Sequence, residues 1–180
     1  MKKLLILLMI APVLVVGHSQ SLEFEQYFAI EPQVVVVDTT SADELYNRLK
    51  SWVMKSYNEP NEVIVVDTPK QIRIRPLDSC FMTYKPLATV ICYMVRYQIK
   101  LDIKDNKYRF SFDIEKVTLE DFLPLMGNPS NWIWEKKDGT QKTSGHAKQL
   151  IASANKSLNK YFNSIKLAAL NPVTSSNDDW

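Results

Sequence analysis

Between Val95 and Val117 the chain alternates apolar and polar side chains twice, with Lys104-Asp105-Asn106-Lys107 in the middle. Period-2 alternation is the mark of a strand with one buried and one wet face. Asp105-Asn106 suits a tight turn, because both residue types tolerate positive φ. A two-residue loop there predicts the register: Ile103 opposite Tyr108, Leu101 opposite Phe110, Ile99 opposite Phe112 and Tyr97 opposite Ile114. On the wet face it sets Asp102 against Arg109 and Arg96 against Glu115, opposite-charge pairs contributing about 0.2–1 kcal/mol each. A slip by one residue would turn every aromatic to solvent, so the pairing is strongly specified. The hairpin speaks to fold and carries no chemistry.

The remaining elements are read around it. Val34-Val35-Val36-Val37 predicts a strand buried on both faces or at a core edge. Ser41 and Glu44 match a capping box in which hydroxyl and carboxylate each satisfy an orphan N–H. The helix they open carries Leu45, Leu49, Trp52 and Val53 on one stripe, flanked by Tyr46 and Tyr57, and ends at Asn58-Glu59-Pro60. Strands follow at Glu62–Val66, Gln71–Arg75 and Leu87–Ile103, with Phe81–Tyr84 resuming the pattern broken by Pro76. After the hairpin, Leu119–Gly145 breaks the rhythm with Gly127-Asn128-Pro129 and the apolar spike Trp132-Ile133-Trp134. A helix from His146 to Lys166 has Leu150, Ala154, Leu158, Tyr161 and Ile165 inward, widened by Ile151 and Phe162, with Lys148, Lys156 and Lys160 outward. The fold class is α+β: a curved, mostly antiparallel sheet of about five strands with two main helices on one face.

Met1-Lys2-Lys3, the apolar run Leu4–Val16 and the small residues Gly17-His18-Ser19 read as a cleaved signal peptide. The run is shorter than the ~20 residues that span a bilayer, so no stable membrane span is expected after cleavage, and the expected compartment is periplasmic or secreted. The predicted organisation is residues 1–19 signal peptide, 20–33 lead-in, 34–170 one domain with an insert at 119–145, and 171–180 a loose tail. The lead-in can be strand, short helix or partly disordered. The 180-residue chain has 22 Lys+Arg against 20 Asp+Glu, a net charge of +2. Losing the segment through Ser19 removes Lys2 and Lys3 and leaves the two signs equal. Nucleic acid, which selects a basic domain or stripe, is therefore not the expected partner.

Catalytic constellations are sparse. Past the signal segment His146 is the sole histidine, and it reads as structural or solvated rather than as part of a Ser-His-Asp or Cys-His arrangement. With 4 glycines in all there is no phosphate-wrapping loop, and neither cysteine has metal-ligand spacing; no cofactor and no metal are expected. Cys80 and Cys92 lie symmetrically about a turn at Pro86. They are either a disulfide, with about 3 kcal/mol from loop closure, or two buried thiols acting as small hydrophobes. Glu120-Asp121 and Glu135 border the insert and supply the acids for a carboxylate hydrolase. Trp132 and Trp134, with Glu135 beside them, are either core or a stacking platform for a sugar ring or partner surface.

The order of elements resembles DUF4468, a bacterial family of unknown function with a TBP-like fold. The matching pieces are Ser41-Ala42-Asp43-Glu44-Leu45-Tyr46, then Trp52-Val53 through Asn58-Glu59-Pro60-Asn61, then Val63-Ile64-Val65-Val66-Asp67, and the hairpin from Val95 to Phe112. They cover roughly residues 34–117. The resemblance implies a curved antiparallel sheet with helices on one face, and carries over no activity and no site residues. The Ser79–Leu87 connection and the Leu119–Gly145 insert depart from it. The wet face of the hairpin, as read from Arg96, Gln98, Lys100, Asp102, Arg109, Ser111, Asp113 and Glu115, is mixed in sign. The resulting expectation is an exported, non-enzymatic binding module meeting a protein or glycan in the cell envelope. A hydrolase built on the insert, or a structural assembly subunit, are the alternatives.

Overall fold

A computed structural model describes residues 21–25, 28–119, 133 and 140–171. In chain order the elements are β1 (Gln33–Val36), α1 (Ala42–Ser56), α2 (Pro60–Val63), β2 (Ile64–Thr68), β3 (Gln71–Ile74), β4 (Leu77–Tyr84), β5 (Ile91–Lys104), β6 (Lys107–Leu119) and α3 (Gly145–Leu170). The strands form one 6-stranded antiparallel sheet in the order β1-β6-β5-β3-β2, with β4 also paired to β5. The strand count exceeds the expected five because β3 and β4 share one flank of β5, broken at Pro76, which has no N–H to give the ladder.

The hairpin's apolar register is as its alternation predicts, from Ile103↔Tyr108 to Tyr97↔Ile114, with Asp102 opposite Arg109. Beyond Tyr97 the register shifts by one residue, and Arg96 faces Lys116 rather than Glu115. The expected Arg96–Glu115 pair does not form, and Glu115 instead meets Arg75 from across β5. At the tip only Asn106 adopts positive φ (61°). Its Oδ1 accepts from Thr40 N at 3.0 Å, and Asp105 Oδ1 accepts from Ala42 N at 2.8 Å. The tip therefore caps the start of α1, a helix end whose N–H groups have no internal partners.

Three local expectations change. Val34 and Val36 are 61% and 60% exposed, so β1 is an edge strand buried on one face only. Ser41 Oγ caps Glu44 N at 3.3 Å, but the Glu44 carboxylate turns to Arg48 instead of completing a capping box. Glu62 and Val63 belong to the short helix α2, begun by Pro60, because proline's fixed φ suits a first helical position.

The core lies between the sheet and two helices. Tyr97, Phe81, Phe112 and Tyr161 form a ring cluster with centroids 5.0–6.3 Å apart, and Phe162 packs edge-on against Phe110. Helix α3 runs four residues past the expected Lys166. Buried Arg48 explains the extension: its Nη1 donates to Ala169 O at 2.8 Å, where exposed carbonyls make the helix end negative. Trp52 Nε1 also reaches α3, donating to Ser164 Oγ at 2.8 Å.

Polar side chains of α3 grip backbone on two flanks. Ser153 Oγ accepts from Thr83 N at 2.8 Å, Ser157 Oγ donates to Phe81 O at 2.7 Å, and Gln149 Oε1 accepts from Lys85 N at 3.1 Å. On the other flank Asn159 Oδ1 accepts from Leu22 N and Asn155 Oδ1 accepts from Phe24 N, at 2.8 and 2.9 Å. Leu22 and Phe24 are buried in consequence. Cys80 and Cys92 are joined in a disulfide, Cα–Cα 4.7 Å. The pairing is not symmetric about Pro86: Cys92 faces Thr83 in the ladder, and Cys80 lies within the irregularity between Asp78 and Met82.

Candidate functional site

Alternation in β3, β5 and β6 sends one set of side chains into the core and the other to an open face. From β3 and its end come Arg73 and Arg75; from β5, Arg96, Lys100 and Lys104; from β6, Lys107, Arg109 and Lys116. The carboxylates on this face are Asp102, Asp113 and Glu115. The mixed-sign face expected from the hairpin alone is thus corrected to a predominantly cationic one. Arg75 is neutralised by Glu115, and Asp102 serves both Arg109 (2.7 Å) and Lys100 (3.2 Å). Among the described residues Arg73 has no ion pair, and Lys104, Lys107, Arg96 and Lys116 likewise have no counter-charge.

Those four form two like-charge cross-strand pairs, Lys104↔Lys107 at the turn end and Arg96↔Lys116 at the bulge. Like charges directly opposite in a sheet are disfavoured, so neither pair adds to the stability of the sheet. Roughly 27 Å of strand separates the two pairs, at about 3.4 Å per residue. Between them lie Arg73, Lys100 and Arg109, interleaved with Gln71, Gln98 and Ser111. At the turn end a cavity of ≈ 230 Å³ opens among Val34, Asp102, Lys104, Lys107, Tyr108 and Arg109. Burial alone would raise the Asp102 carboxyl, but hydrogen bonds from Arg109, Gln71 and Lys100 outweigh it and hold the group below its ordinary range. Asp102 stays ionised and absorbs part of the local charge.

Trp132, Trp134, Glu135, Glu120 and Asp121, the candidates drawn from the insert, lie outside the described residues, as does the signal-peptide segment. Ile133 between the tryptophans is fully buried, and its carbonyl accepts from Lys142 N at 2.6 Å. His146 packs against Tyr84 with ring centroids 4.1 Å apart and the planes tilted by 49°, and its Nε2 lies 3.4 Å from Tyr93 Oη. Burial lowers its pKa. A second polar cluster sits inside the core: Tyr57 and Tyr97 hydroxyls lie 3.4 Å apart, and Tyr161 donates to Asp78 at 2.7 Å. Burial pushes Tyr57 up to about 12, so these phenols remain protonated donors that tie β4 and β5 to the helices. Among the described residues no group of three or more His, Cys, Asp or Glu converges as metal ligands, and no helix is long and apolar enough to cross a membrane.

An open antiparallel sheet with helices packed on one face and the other face bare defines a TBP-like α+β domain. Two crystal structures share that fold. A TBP-like protein from Parabacteroides distasonis superposes with a TM-score of 0.57 at 16% identity, over 79% of this chain and 92% of that one. A DUF4468 family protein from Bacteroides ovatus gives 0.57 at 17%, over 81% and 89%. Likeness at this identity concerns fold alone. Residues 32–115 match the model of DUF4468, a domain of unknown function with TBP-like fold. No curated protein sequence matches the chain.

Proposed function

We propose that the protein is an exported, non-enzymatic binding module of the cell envelope, and that it engages its partner through the open face of the sheet. One observation carries this reading. Lys104↔Lys107 and Arg96↔Lys116 hold like charges against one another without a counter-ion among the described residues, a cost to folding that a bound partner would relieve. The basic-apolar-small pattern of residues 1–19 supports export, and the Cys80–Cys92 disulfide is of a kind that persists in oxidising compartments.

The test is fractionation of the producing cells with N-terminal sequencing of the recovered protein. Expected is a chain trimmed near Ser19, in the periplasmic, surface or medium fraction, with no turnover in a broad hydrolase screen. A cytosolic protein that retains Met1, or hydrolysis lost on Glu135→Gln, would overturn the proposal.

A further inference from the structure

We infer that the cationic stripe along β5 and β6 is a binding track for an extended acidic polysaccharide, whose carboxylates meet the side chains of Lys104, Lys107, Lys100, Arg109, Arg96 and Lys116. This deepens the binding-module reading and rests on it for the choice of face.

Shape comes first. The stripe is two strands wide, about 5 Å, and roughly 27 Å long, with successive rows of same-face residues about 6.7 Å apart. That is the footprint of one linear chain rather than of a planar bilayer. Charge comes second. The two like-charge pairs sit at opposite ends, so a short anion would neutralise one and leave the other, whereas a polyanion running along the strands reaches both. Surface chemistry comes third. Among the described residues this face presents no aromatic ring. Bases of a single-stranded nucleic acid would lack the stacking platforms that such proteins use. What lies between the cations is Gln98, Ser111 and Gln71, amide and hydroxyl groups suited to sugar hydroxyls. Asp102 and Asp113 break the field, which disfavours a uniformly dense polyphosphate and suits a polymer charged only at intervals. The ≈ 230 Å³ cavity between Val34 and Arg109 offers a seat for one ring at the end of the track.

The experiment is titration of the full chain, purified after export, with polygalacturonate, dextran, oligodeoxythymidylate and phosphatidylserine vesicles, read by calorimetry. Polygalacturonate is expected to bind and dextran to fail. Affinity should fall steeply between about 50 and 200 mM salt, as expected when several ion contacts release counter-ions. Lys104→Glu with Lys107→Glu should weaken binding by about tenfold or more, equivalent to about 1.4 kcal/mol, with Tm unchanged. Arg96→Glu should weaken it independently, and Lys156→Glu on the outer side of α3 should not. Equal binding by the stripe variants, or no binding of polygalacturonate, overturns the track; tighter binding of the oligonucleotide or the vesicles replaces it with nucleic acid or membrane. A protein that is exported and envelope-retained yet ignores polygalacturonate would lose only the glycan assignment, whereas failure of export removes the module reading itself.

Discussion

Among the described residues, Tyr108 is a buried donor without an acceptor. The residue is 1% exposed, its hydroxyl has no hydrogen-bond partner among the described residues, and burial raises its pKa, so the proton stays on the oxygen. An unsatisfied buried hydroxyl costs about 1–3 kcal/mol. Tyr108→Phe keeps the ring and deletes the oxygen, and is expected to raise stability by about 1 kcal/mol in a denaturant titration; a loss of that size would mean the hydroxyl is engaged in solution. The neighbouring phenols behave differently: Tyr97 lies beside Tyr57, and Tyr161 beside Asp78. Nothing in the local sequence separates the three environments. Alternation says that Tyr97 and Tyr108 point inward, but which hydroxyl finds company depends on α1, α3 and the β4 irregularity, brought together from distant parts of the chain.

The hairpin tip is an element with two duties, since it turns the chain and caps α1. Asn106 supplies both a left-handed backbone (φ 61°) and the acceptor for Thr40 N. Asn106→Gly keeps the backbone and leaves the N–H of buried Thr40 without its acceptor, for an expected cost of about 1 kcal/mol. Asn106→Ala loses both and should cost about 2–3 kcal/mol, since an alanine at positive φ adds strain. Equal losses in chemical denaturation would show that backbone strain is not at issue. Much of this element was legible, because strict alternation leaves one register that buries Leu101, Phe110, Ile99 and Phe112 together. The extra residue in β6 was legible too, in a quieter signal: Ile114 and Val117 are three apart where the pattern requires two. Read that way, Glu115 bulges and Lys116 falls opposite Arg96, turning an expected attraction into a repulsion. The β4 register was not legible, because Pro76 and the Asp78–Met82 irregularity interrupt alternation just where the strand joins β5.

On the scale of the whole molecule, a net charge of +2 conceals segregation. The sheet face gathers cations while Glu23, Glu25 and Glu31 line a separate hollow of ≈ 410 Å³ by the lead-in. Composition averages the two, which is why a nearly neutral chain gave no hint of a basic stripe. Charge pairing also sets acid stability. Hydrogen bonds from Lys50 and then Tyr46 hold Asp67 below the ordinary carboxylate range, and Arg109, Gln71 and Lys100 do the same for Asp102 against the opposing effect of burial. A carboxyl depressed in the folded state stabilises above its unfolded pKa, about 3.9, and that contribution is lost as pH falls through the folded value. Tm should therefore decline on acidification below about pH 4, and Asp102→Asn should flatten the decline; an unchanged profile would remove Asp102 as a contributor. Helix α3 adds a different consequence. Serines on a helix surface invite replacement by alanine wherever helix propensity is being optimised. Here Ser153 and Ser157 occupy the outer flank of β4, the side on which another chain could otherwise add a strand. Alanine at these two positions would leave Thr83 N and Phe81 O without their partners, a better helix over a less well-satisfied strand edge.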